Sequence, residues 1–291
     1  MKNIGEKLWV FVFLIMAAAG FLSMFRPALT AVNANTTVLY DASLGGLPDS
    51  QGMSYATYGE NFTASSSTQA YVNGATVLTT TAAMGDYAGY GIDSADAIML
   101  DATNGFKMTF TVRIEEETHA NNNRSGFSVI LLDQNAKGIE LGFYEDTIYA
   151  REGNGSSLFQ HAEDITFATT SETTYELEIV GTTYTLTAPG MPTLTGSVRD
   201  YSDNVTPLPI IPDPYEQPNF IFLGDDTTSG QAIIHLKYVA LTTDTAVPPT
   251  NTPTATATNT AVPTNTPTPT ATAINSPNLD EKVHLPLVIN P

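Results

Sequence analysis

Between Asn35 and Thr243 apolar and polar positions alternate with a period of two, and no long stripe recurs at helical spacing. The clearest stretch is Phe106–Ile114. Phe106, Met108, Phe110, Val112 and Ile114 share one face, while Lys107, Thr109, Thr111 and Arg113 share the other. A strand turns successive side chains to opposite sides, so this one buries one face and wets the other. Gly126–Leu132 is more continuously apolar, as a central strand is, and Asp133–Gly138 reads as a turn into the alternating Ile139, Leu141 and Phe143. A second hairpin follows. Tyr175, Leu177 and Ile179 share a face, Val180-Gly181-Thr182 turns, and Tyr184 and Leu186 return. Further strands are predicted at Phe220–Leu223, at Ala232–Leu241 and, at the start, at Val38–Tyr40, with the first and last strands paired. About 11–14 short strands are expected, which argues for two packed antiparallel sheets over residues 35–243.

The two ends read differently. Lys2 and Lys7 precede an apolar run from Leu8 to Phe25, and small residues follow at Val32-Asn33-Ala34. This is the pattern of a secretory signal over residues 1–34, cut after Ala34 or, as second choice, after Ala31. An uncleaved anchor is the alternative, because about 20 apolar residues span a bilayer. Residues 244–278 are dominated by Thr, Pro, Ala and Asn, with Pro249-Thr250-Asn251-Thr252-Pro253 echoed by Pro263-Thr264-Asn265-Thr266-Pro267. Such a composition buries little apolar area and is expected to form a disordered, extended linker. Residues 279–291 form a short apolar C-terminal segment around Val283–Ile289, either a sorting or docking signal or a sticky end. The chain is therefore expected to be secreted, extracellular or attached to the cell surface, with no membrane span in its mature form.

Charge narrows the partners. The chain carries 30 acidic and 11 basic side chains for a formal charge of −19. Removing residues 1–34 takes out Lys2, Lys7, Arg26 and Glu6 and makes the remainder still more acidic. Such a surface repels nucleic acid and anionic lipid. It has no cysteine, which excludes disulfides, thiol nucleophiles and cysteine-held zinc.

Candidate chemistry is sparse. The paired carboxylates a glycosidase needs are not evident, because Glu115 and Glu117, like Glu176 and Glu178, read as the wet sides of alternating strands. The single tryptophan, Trp9, lies in the export signal, so any sugar platform must use tyrosines such as Tyr55, Tyr58, Tyr87, Tyr90, Tyr144 and Tyr149. Calcium is a candidate cofactor. Asp225 and Asp226 follow an apolar strand and offer hard oxygen ligands in a turn, with Asp93, Asp96 and Asp101 in another loop. Alternatively, such acids cap backbone N–H groups. The last cluster is His119, Asn122 and Arg124 just after strand 106–114, with His161 and Glu163 further on. These types suit an acidic sugar or a peptide carboxylate, which a guanidinium pairs in fork geometry, or else a satisfied network that orders a loop.

Several strings carry a resemblance: Leu39-Tyr40-Asp41, Gly45-Gly46-Leu47-Pro48, Gln51-Gly52, Arg124–Ile130, Gly138–Phe143, Arg199-Asp200-Tyr201-Ser202 and Pro218–Asp226. Together they resemble the choice-of-anchor type Y domain of bacterial extracellular proteins. More broadly they are similar to the concanavalin A-like, laminin-G-like jelly rolls. The resemblance implies a jelly-roll sandwich displayed on a C-terminal anchor. Met53 and Tyr144 stand where relatives would carry tryptophan. The function expected from these features is a non-catalytic module that binds a polysaccharide, surface glycan or matrix. A carbohydrate-active hydrolase or lyase and a self-assembling surface protein are the competing readings.

Overall fold

The computed structural model describes residues 33–60, 63–92, 98–153, 158–203 and 213–245. Residues 1–32, with most of the export signal, and residues 246–291, with nearly all of the linker and the C-terminal segment, lie outside them. The described residues form sixteen strands: β1 (Asn33–Asp41), β2 (Ser54–Tyr58), β3 (Thr68–Val72), β4 (Ala75–Thr79), β5 (Tyr87–Gly91), β6 (Phe106–His119), β7 (Ser128–Leu132), β8 (Lys137–Phe143), β9 (Thr147–Arg151), β10 (His161–Thr166), β11 (Thr173–Val180), β12 (Thr183–Thr187), β13 (Leu194–Ser197), β14 (Arg199–Asp200), β15 (Ile221–Asp225) and β16 (Gly230–Thr245). The count exceeds the sequence expectation because β2 to β5 and β14 are short and weakly patterned. Among the described residues no helix is long and apolar enough to cross a membrane.

The strands form the expected jelly-roll sandwich of two antiparallel sheets. The first runs β13-β12-β11-β6-β16-β4-β3, with β1 also paired to β16; the second runs β10-β9-β8-β7-β15-β5-β2, with β14 paired to β8. Val112 and the other alternate apolar residues of β6 face the second sheet and meet Val129, Leu131, Ile139, Leu141 and Phe143 in one continuous core. Its centre is aromatic. Tyr175 of β11 pairs across the strands with Phe110 of β6, and their rings stack at 5.2 Å while Phe143 meets each of them edge-on. Such contacts add about 0.5–1.5 kcal/mol per pair beyond area burial.

The first and last strands pair as expected, from Asn33 opposite Thr245 to Asp41 opposite Tyr238. Strand β1 takes in Asn33 and Ala34, so cleavage after Ala31 leaves it whole whereas cleavage after Ala34 shortens it. The hairpin turn falls at Gly181, whose φ of +59° suits a residue without a Cβ.

A second, smaller apolar cluster covers part of the outer face of the second sheet. Ile130 and Leu132 point away from the main core and are roofed by Tyr201 and Tyr215, with Leu158, Phe159, Phe220 and Phe222 at the margin. Strand β7 is buried on both faces for this reason, as its unbroken apolar run predicts.

Candidate functional site

One end of the sandwich is built by the segment between β6 and β7 and by the approach to β10. Its geometry begins with a bulge. On β6 Ile114 lies opposite Ile234 but Glu116 lies opposite Ile233, so Glu115 is an extra residue. A bulge shifts the alternation by one. Glu115 therefore stays outside, where it meets His235 at 2.5 Å and Arg113 at 2.7 Å, while Glu117 turns inward and is buried. This corrects the expectation that Glu115 and Glu117 share a wet face. Glu176 and Glu178 do lie on the exposed side of β11. Glu117 accepts the Gly126 N–H at 3.0 Å and faces His119 Nδ1 at 2.9 Å. Burial pushes its carboxyl up.

His119 opens a row of four rings. It stacks on Tyr144 at 4.0 Å, Tyr144 lies 5.0 Å from Tyr149, and Tyr149 stacks on His161 at 4.2 Å. Tyr149 fits flat against the sheet because Gly142 lies beneath it; a Cβ there would come within 2.4 Å of the ring. His161 Nδ1 lies 3.0 Å from the Asn122 carbonyl, its Nε2 lies 3.0 Å from Asp164, and its backbone N–H donates to Asn123 Oδ1. Arg124 donates from Nη1 to the carbonyls of Asn123 and Phe159 and lies over the Phe159 ring at 5.2 Å. Four of the five residues singled out in sequence, His119, Asn122, Arg124 and His161, thus come together at one rim. Glu163 does not. It leaves β10 on the other side, pairs with Arg199 at 2.6 Å and accepts from Tyr184 at 3.5 Å.

Beside this rim a charged network is sealed under the second cluster. Arg151 of β9 is 1% exposed and pairs through Nε with Glu140 of β8, itself fully buried. Asp226 lies 3.8 Å from the same guanidinium. Tyr215 donates to Glu140 at 2.5 Å, and Tyr201 receives the Glu140 N–H while donating to the Arg151 carbonyl, both at 3.1 Å. Arg151 also donates to the Asn123 carbonyl at 2.7 Å, which ties the network to the rim loop.

Two carboxylates share one guanidinium here, so one of them is best left protonated. Burial, outweighing Arg151, raises the Glu140 carboxyl to about 8. A raised carboxyl stabilises the fold fully below its ordinary range and loses that contribution as pH climbs through the raised value. Unfolding free energy measured in denaturant is therefore expected to fall between about pH 5 and 9, and Glu140→Gln to flatten that decline. A rise over that window runs against the assignment.

The remaining sequence candidates separate. Asp225 turns into the core, accepts the Thr227 N–H at 3.2 Å and is pushed well up by burial. Asp226 points to the other face, toward Arg151 and Tyr215. Asp225 ends β15 and Asp226 follows it with its side chain on the opposite side, so the two carboxylates do not converge on one point. Asp101 caps the Thr103 N–H at 2.9 Å; Asp93 and Asp96 lie outside the described residues. Among the described residues no three His, Asp or Glu side chains converge as a metal site.

Glu140, Arg151, Tyr201 and Tyr215 were not foreseen as site residues, whereas Tyr144 and Tyr149 of the ring row stood among the candidate platform tyrosines. A signal was present: a lone acid in Gly138-Ile139-Glu140-Leu141-Gly142-Phe143 and a lone base closing Ile148-Tyr149-Ala150-Arg151. Leu141 pairs with Ala150, and one further step of that register sets Glu140 opposite Arg151.

The fold and rim together define a jelly-roll β-sandwich with a ring-lined, loop-built end. No family model matches the chain, and no curated protein matches it. Among solved structures it is similar to a carbohydrate esterase, vb_24B_21, from the Shiga toxin-encoding bacteriophage phi24B, with 13% identity over 72% of this chain and 100% of that one and a TM-score of 0.48. It is also similar to alginate lyase A1-II', with 10% identity over 70% of this chain and 99% of that one and a TM-score of 0.44. A third is the metal-free Emp46p carbohydrate recognition domain, with 10% identity over 70% and 94% and a TM-score of 0.44.

Proposed function

We propose that this chain is a secreted, non-catalytic module of the choice-of-anchor type Y kind that recognises a glycan or matrix polymer through the rim around residues 119–124. The observation that carries this reading is the juxtaposition at one end of the fold of the half-buried His119 and His161 rings, each backed by a buried tyrosine, with the exposed amides of Asn121 and Asn122. Rings offer flat apolar faces to sugar C–H groups, and amides offer donors and acceptors to sugar hydroxyls. The strings that carry the family resemblance also build this region: Arg124–Ile130 supplies the rim and β7, Gly138–Phe143 is β8, and Tyr201 roofs the outer face. The carboxylates beside the rim support a binding role, because Glu117 is engaged by His119 and Gly126 and Glu140 by Arg151 and Tyr215. A hydrolase needs its acids facing the scissile bond.

The test is a polysaccharide array probed with the secreted chain, with and without EDTA. Retention of at least one glycan, weakened several-fold by Asn122→Ala, is expected, and the EDTA arm reads whether a divalent cation takes part. A natively folded chain that retains no glycan, or that releases reducing ends or unsaturated products from one, sinks the reading.

A further inference from the structure

Among the described residues the ionic pairing has one exception. Lys107 pairs with Glu176, Arg113 with Glu115, Lys137 with Asp200, Arg151 with Glu140, Arg199 with Glu163 and Lys237 with Glu172. The histidines follow: His119 with Glu117, His161 with Asp164 and His235 with Glu115. Among the described residues Arg124 is the one cationic side chain with no carboxylate partner. In a chain of 30 acidic and 11 basic side chains that is not a shortage of acids. The nearby acids are turned to other groups, Glu117 to His119 and Asp164 to His161.

Arg124 is also held in place. Its Nη1 is committed to the carbonyls of Asn123 and Phe159, and its guanidinium lies over the Phe159 ring. The side chain is half-buried, and no bond from Nη2 or Nε to another described residue accompanies those two. A guanidinium fixed at one nitrogen keeps the rest of its planar fork for an acceptor, and a carboxylate is the acceptor that matches two N–H groups at once.

We propose that Arg124 is a carboxylate-binding subsite and that the polymer recognised at the rim is a polyuronate, its acid group on Arg124, which Phe159 backs, and its ring faces and hydroxyls on His161 and Asn122. This rests on the glycan reading above and adds the sign of the ligand. The rings and amides favour an acidic sugar over an acidic peptide, since they match ring faces and hydroxyls that a peptide carboxylate lacks. The acidic surface repels a polyanion at long range, but at about 0.15 M salt that repulsion is screened beyond roughly 8 Å, leaving the local contact to decide.

The experiment uses the full secreted chain at physiological salt and three polyuronates, polygalacturonate, polymannuronate and hyaluronate, each beside its carboxyl-reduced form, with poly-glutamate as a peptide control. Binding to at least one polyuronate is expected. It should fall by about tenfold or more in Arg124→Gln and by less in Arg124→Lys, which keeps the charge but not the fork. Arg113→Gln, which removes an equal charge from a paired site on the first sheet, should leave it unchanged, and the carboxyl-reduced polymer should bind wild type as weakly as the polyuronate binds Arg124→Gln. Thermal midpoints show that each variant is folded. If the reduced polymer binds equally well, or Arg124→Gln changes nothing, the acid subsite is overturned while glycan binding stands. Arg124-dependent capture of poly-glutamate with no polysaccharide overturns both, and binding to none of the three polyuronates overturns the inference about ligand class.

Discussion

Glu140→Ala is expected to destabilise the domain by about 3–5 kcal/mol, because it leaves the buried Arg151 guanidinium and the Tyr215 hydroxyl without the oxygen acceptors they meet. Arginine does not shed its proton in proteins, so the variant keeps a guanidinium that is 1% exposed, with Asp226 at 3.8 Å as its remaining acid. At this chain length the thermal midpoint should drop by roughly 10 °C or more. Arg151→Met should cost less near neutral pH, because burial already favours the neutral Glu140 carboxyl and no buried cation is left unpaired. It should then lose stability more steeply than wild type as pH rises. Calorimetry or denaturant titration at two pH values compares the variants. If Glu140→Ala proves no worse than Arg151→Met at pH 7, the account of the network is wrong.

The second large effect is expected at Gly138. This residue pairs with Leu132 on one side and with Arg199 on the other. A Cβ there would sit 1.8 Å from the Leu131 carbonyl oxygen and 2.8 Å from the Leu132 Cα, both backbone atoms that cannot swing aside. Gly138→Ala must therefore spread β7 from β8 at the centre of the second sheet, at a cost of about 3 kcal/mol or more. Gly181→Ala is the control. Its Cβ would meet nothing within 4 Å, and only the positive φ opposes it, so about 1 kcal/mol is expected. Equal losses from the two substitutions, read from denaturant midpoints, would contradict this ranking.

The architecture was legible where period-two patterning was strong. Phe106–Ile114 and the Tyr175–Leu186 hairpin appear as read, and Gly126–Leu132 does so from Ser128 onward, because each buries one face against the main core and β7 buries its other face under the second cluster. The bulge at Glu115 was not legible. Nothing in Ile114-Glu115-Glu116-Glu117 distinguishes an exposed run of acids from a run in which the third turns inward; the difference lies in the register with β16. The rim cluster was half legible. His119, Asn122, Arg124 and His161 stood out by residue type and do meet, but Glu163 was assigned by proximity in sequence to His161. A second irregularity intervenes. On β10 the register shifts between His161 and Asp164, which carries Glu163 to the side of Arg199 and Tyr184. The Glu140–Arg151 pair escaped because its two members lie in separate apolar strands, and each looks like an isolated polar intrusion until the strands are aligned.

The long pairing of β16 with β6 has a mechanical consequence. Gly230 lies opposite His119 at the rim, and thirteen register pairs run from there to Thr243 opposite Phe106, close to where β16 ends at Thr245. Tension applied between an attachment at the rim and the far end of β16 is thus directed along the strand, over roughly 50 Å at about 3.4 Å per residue. The rungs are loaded side by side in shear and must yield together. The same force applied between Asn33 and Thr245, which face each other at one end of the β1–β16 ladder, would unzip that ladder rung by rung. A molecule tethered by its C-terminal strand and gripped at the rim is held along its stronger direction.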